Sequence, residues 1–208
     1  MTKYIVIALF LFCQNVYCQE YHFDKLFKYS EVGRAEITIM TNTRDSSYFF
    51  IHKSYGTNFE GQIVDSKNKF FHYFFIKNSG NSIQFDYDNS VSIDKLKIPC
   101  YDLNNYYEIT KSIKDTLNSS FKIIKYNSLN KRKIVESADF EAKNVDFNTK
   151  NIISRFFYHF VYCQKISLPN YHLPTFIVIN YNNGNKVKTE LIEEKNINTI
   201  LSINQKKN

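Results

Sequence analysis

Residues 70–76 read Phe-Phe-His-Tyr-Phe-Phe-Ile, and residues 82–88 read Ser-Ile-Gln-Phe-Asp-Tyr-Asp. The first stretch is apolar at almost every position, which predicts a central strand covered on both faces, because at a sheet edge it would promote aggregation. The second stretch alternates apolar and polar residues, the pattern of an antiparallel strand with one wet face. A turn-like sequence, Asn-Ser-Gly-Asn at 78–81, separates the two. Short strands joined in this way predict a meander.

The same succession of strand-like runs and turn-like separators extends in both directions along the chain. A hairpin is predicted near the C-terminus, because Asn-Asn-Gly-Asn at 182–185 lies between two β-rich runs. Residues 196–203 are expected to add at most a short element. The predicted strands are residues 36–39, 48–53, 59–64, 70–77, 82–88, 107–114, 120–126, 131–143, 175–181 and 186–192.

One helix is predicted near residues 149–164. Asn148 or Thr149 serves as its N-cap, and Pro169 lies beyond its end. The fold class expected is therefore α+β, mainly antiparallel β, with a meander-like curved sheet, one amphipathic helix and a C-terminal hairpin. The helix prediction depends on five large apolar residues with the spacing of one helical face: Ile153, Phe156, Phe157, Phe160 and Val161.

The N-terminus has the three parts of a secretory signal peptide. A basic start containing Lys3 is followed by an apolar run at residues 4–12 and by a site with small residues, Val16 and Cys18. The apolar run is too short to span a bilayer, which needs about 20 residues. We therefore predict a signal peptide at 1–18, cleavage between Cys18 and Gln19, and a single β-rich globular domain at 19–208. The mature protein is expected in the periplasm or outside the cell, with no transmembrane segment after cleavage.

Cleavage at that site leaves two of the four cysteines, Cys100 and Cys163. In an oxidising compartment such a pair is a candidate disulfide. The alternative is two separately buried thiols, since free cysteine is among the most buried residue types.

No catalytic or cofactor motif is present. The sequence has no glycine-rich phosphate loop, nucleophile elbow or paired CxxC, and its five glycines leave little material for one. No catalytic residue, cofactor-binding residue or cofactor is therefore predicted. His159, Cys163 and His172 are candidate zinc ligands, but zinc normally takes three or four ligands and Cys163 is also the disulfide candidate. No metal ligand is predicted.

Two further sites were considered on predicted strands. Asp86 and Asp88 lie about 7 Å apart by strand rise, a distance that suits a pair of catalytic carboxylates. Alternating acids are nevertheless what the wet face of an antiparallel strand ordinarily contains. His72, inside its aromatic strand, is expected to be packed or hydrogen-bonded.

The formal net charge is +7, and the basic residues are scattered along the chain. Without a recognisable reader motif, no nucleic-acid partner is expected. The many Phe and Tyr residues are compatible with an apolar ligand, and exposed tyrosines are compatible with a glycan or an envelope protein.

Several segments carry a resemblance to known proteins: Tyr17-Cys18-Gln19, residues 23–26 (Phe-Asp-Lys-Leu), the turn at 41–48 and the hairpin at 182–186. With these segments the chain resembles uncharacterised small exported β-rich proteins of Gram-negative bacteria. The resemblance implies an antiparallel β-rich fold and a periplasmic or secreted location, and it carries no catalytic residues. The function expected is a noncatalytic binding or envelope-associated module for a lipid, glycan or protein partner. The alternative is a secreted hydrolase with an unrecognised active site.

Overall fold

The computed structural model of the chain describes residues 16–55, 58–79, 82–95, 106–113, 117–127, 130, 133–156 and 170–206. Within these residues the chain forms eleven β-strands, one short α-helix, α1, and a single 3-10 turn at Ile93–Lys95. The elements are β1 (Val16–Glu31), β2 (Ala35–Thr41), β3 (Tyr48–Tyr55), β4 (Asn58–Asp65), β5 (Phe70–Ser79), β6 (Ser82–Ser92), β7 (Tyr106–Ile113), β8 (Asn118–Tyr126), β9 (Ile134–Asn144), α1 (Lys150–Phe156), β10 (His172–Tyr181) and β11 (Lys186–Lys206).

In the described part of the chain, the strands form one open, curved antiparallel sheet in the order β6-β5-β4-β3-β2-β1-β11-β10-β9-β8-β7. Strands β1–β6 make one meander and β7–β11 a second, because each strand pairs with its neighbours in sequence. The two meanders are joined where the first strand pairs with the last. The prediction of a mainly antiparallel, meander-like curved sheet is confirmed.

The pairing of β1 with β11 runs from Val16 opposite Lys206 to Glu31 opposite Thr189. The sequence predicted no strand over residues 19–31, and it ended the last strand at Ile192. The pairing shifts register between Phe23 and Lys25. At this bulge β11 has one more residue than β1, because Phe23 and Lys25 are two residues apart while their partners Thr199 and Asn196 are three apart.

Apolar side chains are buried on both faces of the sheet. We call the face that bears Ile39 and α1 the helix face, and the opposite face, which bears Met40 and Phe50, the ribbon face. The buried core of the helix face is made by Phe27, Tyr29, Ile37, Ile39, Phe49, Ile51, Val64 and Phe71 with Phe147, Ile152 and Leu173, and it is extended over the second meander by Phe121, Ile123, Phe140, Ile153 and Ile177.

On the ribbon face, a two-stranded segment of the sheet lies across β2–β6. It consists of residues 16–23 of β1 paired with residues 199–206 of β11, and we call it the ribbon. The pairing of β2 with β1 begins only at Lys25, so in the ribbon β1 and β11 have each other as strand partners. Ribbon residues pack with residues of β2–β6 in one buried cluster: Tyr21, Phe23, Leu201 and Ile203 with Met40, Tyr48, Phe50, Ile63, Phe74 and Ile76.

The edge of the ribbon is held to the loop that follows β2. Tyr48 Oη donates to the carbonyl oxygen of His22 at 3.0 Å, and Asn42 Nδ2 donates to the same oxygen at 3.1 Å. Asp24, which lies at the register shift between Phe23 and Lys25, accepts hydrogen bonds from Thr43 N at 2.9 Å and Thr43 Oγ1 at 2.7 Å. These side chains satisfy backbone groups that have no strand partner at this edge.

Strand β5, which contains residues 70–76, is covered on both faces, as predicted. It lies between β4 and β6. Phe71 is buried in the core of the helix face, whereas Phe74 and Ile76 are buried on the ribbon face. Phe75 is the exception, at 50% exposed.

The amphipathic helix predicted near residues 149–164 is not seen. Only the short helix α1 lies at the start of that range, and residues 157–164 lie outside the described residues. Two of its residues pack into different parts of the core, Ile152 among the residues of the first meander and Ile153 among those of the second. Asn148 Oδ1 accepts from Lys150 N, while the Thr149 side chain bonds the backbone of β10 instead of capping the helix.

The C-terminal hairpin is confirmed. Strands β10 and β11 pair from Asn180 opposite Lys186 toward Phe176 opposite Glu190. Tyr181 N donates to Asn185 O at 3.0 Å, and Gly184 N donates to Tyr181 O at 3.0 Å. Gly184 has a φ of 83°, a left-handed conformation that glycine adopts without strain.

Some predictions fall outside the described residues. Residues 1–15, most of the predicted signal peptide, lie there, as do Cys100 and Cys163. Among the described residues no disulfide is seen, and Cys18 has an exposed free thiol. None of the helices in the described ranges is long and apolar enough to cross a membrane.

A substitution at Gly61 in β4 tests the packing of the ribbon face. A Cβ added to Gly61 would lie 2.5 Å from Phe50 Cζ and 3.0 Å from Ile76 Cδ1. Because Phe50 is buried, we expect Gly61→Ala to lower the free energy of unfolding by about 1–3 kcal/mol, measured by urea denaturation. In the Phe50→Leu background the same substitution should have a smaller effect. Equal effects in both backgrounds would contradict this packing.

Candidate functional site

A chain of hydrogen-bonded polar side chains connects the ribbon to β4, β5 and β6. Tyr21 Oη lies 2.6 Å from Asp65 Oδ2 and 2.9 Å from His72 Nε2. His72 Nδ1 lies 2.6 Å from Ser90 Oγ, which in turn lies 2.7 Å from Tyr87 Oη. Tyr21, Asp65 and His72 are each at most 1% exposed. This group of five residues is the buried polar network.

The direction of each hydrogen bond follows from the carboxylate at one end. Ionised Asp65 only accepts, so Tyr21 donates to it and accepts from His72 Nε2. His72 Nδ1 is then the acceptor for the Ser90 hydroxyl, and Ser90 accepts from Tyr87. Every donor in the chain has an acceptor when His72 is neutral.

The protonation states of the network agree with this order. Burial lowers the pKa of His72 to about 4, although Asp65 opposes that shift, so the ring is neutral at pH 7. Burial and the neighbouring Asp65 raise the pKa of Tyr21. Burial alone would raise the pKa of Asp65, but hydrogen bonds from Asn68, Tyr21 and Gln19 outweigh it and hold that pKa below its ordinary value.

The contact between Ser90 and His72 resembles the nucleophile–base pair of serine hydrolases. A general base works best when its pKa lies near the working pH. A histidine with a pKa of about 4 is a poor base at neutral pH, and its side chain is buried. The network is therefore better suited to holding the ribbon than to catalysis. It confirms the expectation that His72 is packed and hydrogen-bonded.

A second candidate site is a groove of about 370 Å³ over β7–β10, on the side of these strands opposite α1. Strand register places its side chains in two rows that cross the four strands, because residues two apart on a strand share a face. The first row is Thr110–Lys122–Asp139–Val178, and the second is Ser112–Ser120–Glu141–Phe176.

In both rows the chemical type of the side chain changes in the same order from β7 to β10. Hydroxyl groups lie on the edge strand β7, carboxylates lie on β9, and apolar side chains lie on β10. On the opposite face of the same strands, Phe121, Phe140 and Ile177 are buried in the core. The groove is thus a mixed surface of hydrogen-bonding groups with one apolar side, built on a rigid sheet. None of its residues was predicted, because they become neighbours only when the strands pair.

Asp86 and Asp88, the two carboxylates that the sequence suggested as a pair, do not form one. Asp86 Oδ2 accepts from Lys77 Nζ at 2.6 Å and Oδ1 from Gln84 Nε2 at 2.7 Å, and these bonds lower the pKa of Asp86. Asp88 is the extra residue at a bulge in β6 and bonds Asn89. The bulge ends the alternation that suggested a shared face, so each carboxylate has its own neighbours.

The histidine weighed as a metal ligand is held by other groups. His172 Nε2 lies 3.0 Å from Lys111 Nζ, and its Nδ1 lies 2.8 Å from Asn170 O. His159 and Cys163 lie outside the described residues. No group of three or more metal-ligating side chains is found in the described ranges.

Comparison with protein-family models and with curated proteins finds no match. The functional interpretation therefore depends on the groove and the buried polar network themselves.

The buried polar network predicts an effect on stability. Asp65 accepts hydrogen bonds from Tyr21, Gln19, Asn68 N and Asn68 Nδ2. Asp65→Ala leaves these donors without their acceptor, so we expect a loss of about 3 kcal/mol of unfolding free energy at neutral pH. Urea denaturation followed by circular dichroism measures it.

Asp45→Ala is the matched control, because Asp45 also caps a turn but its bond to Ser47 N is exposed. It should cost less than about 1 kcal/mol. Similar losses in the two variants would contradict the structural role of the network.

Proposed function

We propose that this chain is an exported, noncatalytic binding module that holds a glycan in the groove over β7–β10. The observation that carries the proposal is the pair of cross-strand rows, which combine hydroxyls, carboxylates and one apolar side. Sugars present hydroxyl groups that bond to carboxylates and hydroxyls, and C–H faces that pack on apolar rings. Asp139 and Glu141 supply the first kind of contact, and Phe176 supplies the second.

The composition of the groove favours a glycan over a lipid. Binding sites for apolar ligands are lined mostly by hydrophobic side chains. Here Phe176 and Val178 are the apolar members of two rows that otherwise carry hydroxyls and charges, and Phe121 and Phe140 add apolar surface to the lining. The large apolar clusters of the protein are instead buried in its core.

Export is supported by the sequence of the N-terminus. Cleavage between Cys18 and Gln19 would remove the first three residues of β1, residues 16–18, but would leave Gln19 and Tyr21 in the mature chain. These are the β1 residues whose side chains bond Asp65. The compartment we propose is the periplasm or the extracellular space, where Cys100 and Cys163 remain candidates for a disulfide.

A secreted hydrolase is the second candidate, and one observation favours it. Asp139 and Glu141 lie two residues apart on β9, a separation of about 7 Å by strand rise. Inverting glycoside hydrolases place their two carboxyl groups at a comparable distance. In this case the same groove would cleave the glycan that it binds.

The groove is tested by titrating isotopically labelled protein with soluble oligosaccharides of hexose and N-acetylhexosamine units. We expect backbone NMR shifts to change in β7–β10. Asp139→Asn should weaken binding roughly 10-fold, because it replaces a charged acceptor. Asp86→Asn, which changes a carboxylate on β6 outside the groove, should leave the affinity unchanged.

The products of the same titration separate the two candidate functions. Unchanged oligosaccharides, analysed by mass spectrometry after the titration, support a binding module. Cleaved oligosaccharides support the hydrolase. The proposal for the groove would be contradicted if no oligosaccharide changed the NMR shifts, or if Asp86→Asn weakened binding as much as Asp139→Asn.

Export has its own test, which does not depend on the groove. Intact-mass analysis of the protein recovered from the envelope and the medium of its host should give a chain that begins at Gln19. A mass lower by two hydrogens than that of the reduced chain would support the Cys100–Cys163 bond. A chain that keeps Met1 and stays in the cytosol would contradict export.

A further inference from the structure

The ribbon is attached to the rest of the sheet differently from every other pair of strands. Its residues, 16–23 and 199–206, continue β1 and β11 beyond the point where β2 pairs with β1. At that point both strands are irregular: Phe23 is opposite Thr199, but Lys25 is opposite Asn196. Such a bulge interrupts the ladder and allows a bend. The geometry therefore provides a hinge between the ribbon and the continuous sheet.

Two kinds of contact hold the ribbon down. Apolar side chains such as Phe23 and Ile203 pack in the buried cluster of the ribbon face. The buried polar contact is made by Tyr21, which bonds both Asp65 at the end of β4 and His72 on β5. Further polar contacts are made by Gln19, which donates to Asp65, and by the carbonyl oxygen of His22. Of the side chains in the buried polar network, that of Tyr21 alone belongs to the ribbon.

We propose that the ribbon is released by acid: protonation of His72 lets residues 16–23 and 199–206 lift from the ribbon face while the rest of the sheet stays paired. The released state exposes an aromatic surface that includes Phe50 and Phe74. The device is independent of the glycan groove, which lies over β7–β10.

The burial of the ring explains why a proton on His72 opposes the closed state. Neutral His72 donates from Nε2 to Tyr21 and accepts at Nδ1 from Ser90. A protonated ring donates at both nitrogens, so the Ser90 hydroxyl turns its hydrogen from Nδ1 toward Tyr87 Oη and accepts from Nδ1 instead. The ring is 0% exposed, and burying its charge is unfavourable.

The groups that face His72 define the pH range. They are Tyr21 from β1, Asp65 from β4 and, through Ser90, Tyr87 from β6. Asp65 is the one that is charged at neutral pH, and hydrogen bonds keep its pKa low. Asp65 therefore stays ionised while the pH falls through the range in which His72 titrates.

The sign of the effect follows from linkage. Burial lowers the pKa of His72 to about 4 in the closed state, whereas a solvated histidine has a pKa of 6.5. Between these two values the open state binds a proton that the closed state does not. The closed state is thus fully favoured above pH 6.5 and loses stability as the pH falls toward 4.

Hydrogen exchange measured by mass spectrometry tests the proposal on the intact protein. Protection factors, corrected for the intrinsic pH dependence of exchange, are compared at about pH 7 and about pH 4.5. We expect peptides covering 16–23 and 199–206 to lose protection roughly 50-fold, while peptides of β8 and β9 keep theirs. His72→Gln, which cannot take up the proton, should hold the ribbon loss below about 3-fold.

Two further variants serve as controls for the role of His72. His22→Gln removes an exposed histidine of the ribbon, 3.6 Å from Glu20, and should behave like the wild type. Tyr21→Phe keeps the ring but removes the anchoring hydroxyl, so the ribbon should already lose about 10-fold protection at pH 7. This second variant remains informative if His72→Gln does not fold.

The outcomes are distinct. Selective loss of ribbon protection that His72→Gln abolishes supports the proposal. Loss of protection in the ribbon and in β8 and β9 together would mean global acid unfolding and would overturn it. A wild-type response in His72→Gln, or full ribbon protection in Tyr21→Phe at pH 7, would overturn it as well.

Discussion

The pairing of β1 with β11 is the constraint on which the rest of this structure depends. It joins the two ends of the described chain in the middle of the sheet, with the hairpins of each meander added outward from it. Neither meander is closed by its own strands, so the sheet becomes continuous only when residues almost the whole chain apart meet. Closing such a long loop is entropically unfavourable, and it is offset by the length of the ladder and by the apolar side chains buried on both of its faces.

The bulge at Asp24 turns that single pairing into two pieces with different neighbours. After the bulge, Phe27 and Tyr29 are buried on the helix face, and before it Tyr21 and Phe23 are buried on the ribbon face. The change of face lets one pair of strands cover both sides of the same meander. It also brings a tyrosine hydroxyl into a core that already contains a histidine and a carboxylate, and the hydrogen bonds between them remove the penalty of burying unpaired polar groups.

Among the described residues, no strand pair covers the second meander on the side opposite α1. Its buried residues face α1, and the alternate positions of β7–β10 form the open groove. A strand buried on one face must place its other residues on the outside, so the groove follows from the same alternation that builds the core. In the described part of the chain, one face of the first meander is thus covered by the ribbon, and the groove lies on the second meander.

Local patterns were enough to predict most of the strands. The alternation at 82–88, the apolar run at 70–76 and the Asn-Gly turn before Lys186 each act over a few residues, and each corresponds to a strand or turn of the structure. The helix near 149–164 was predicted from the same kind of pattern and is not seen: the described helix is the short α1, Lys150–Phe156.

The sequence by itself determined the antiparallel β-architecture, the meander order and the C-terminal hairpin, because these depend on residues close together in the chain. Only the tertiary structure decided the pairing of β1 with β11, the contact of Tyr21 with Asp65 and His72, and the two rows of the groove. The first two depend on pairing between residues that are 44 or more apart, as for Tyr21 and Asp65, whereas the groove depends on register carried across four strands. A one-residue change of register turns every side chain to the opposite face, so such contacts are fixed by packing of the whole sheet.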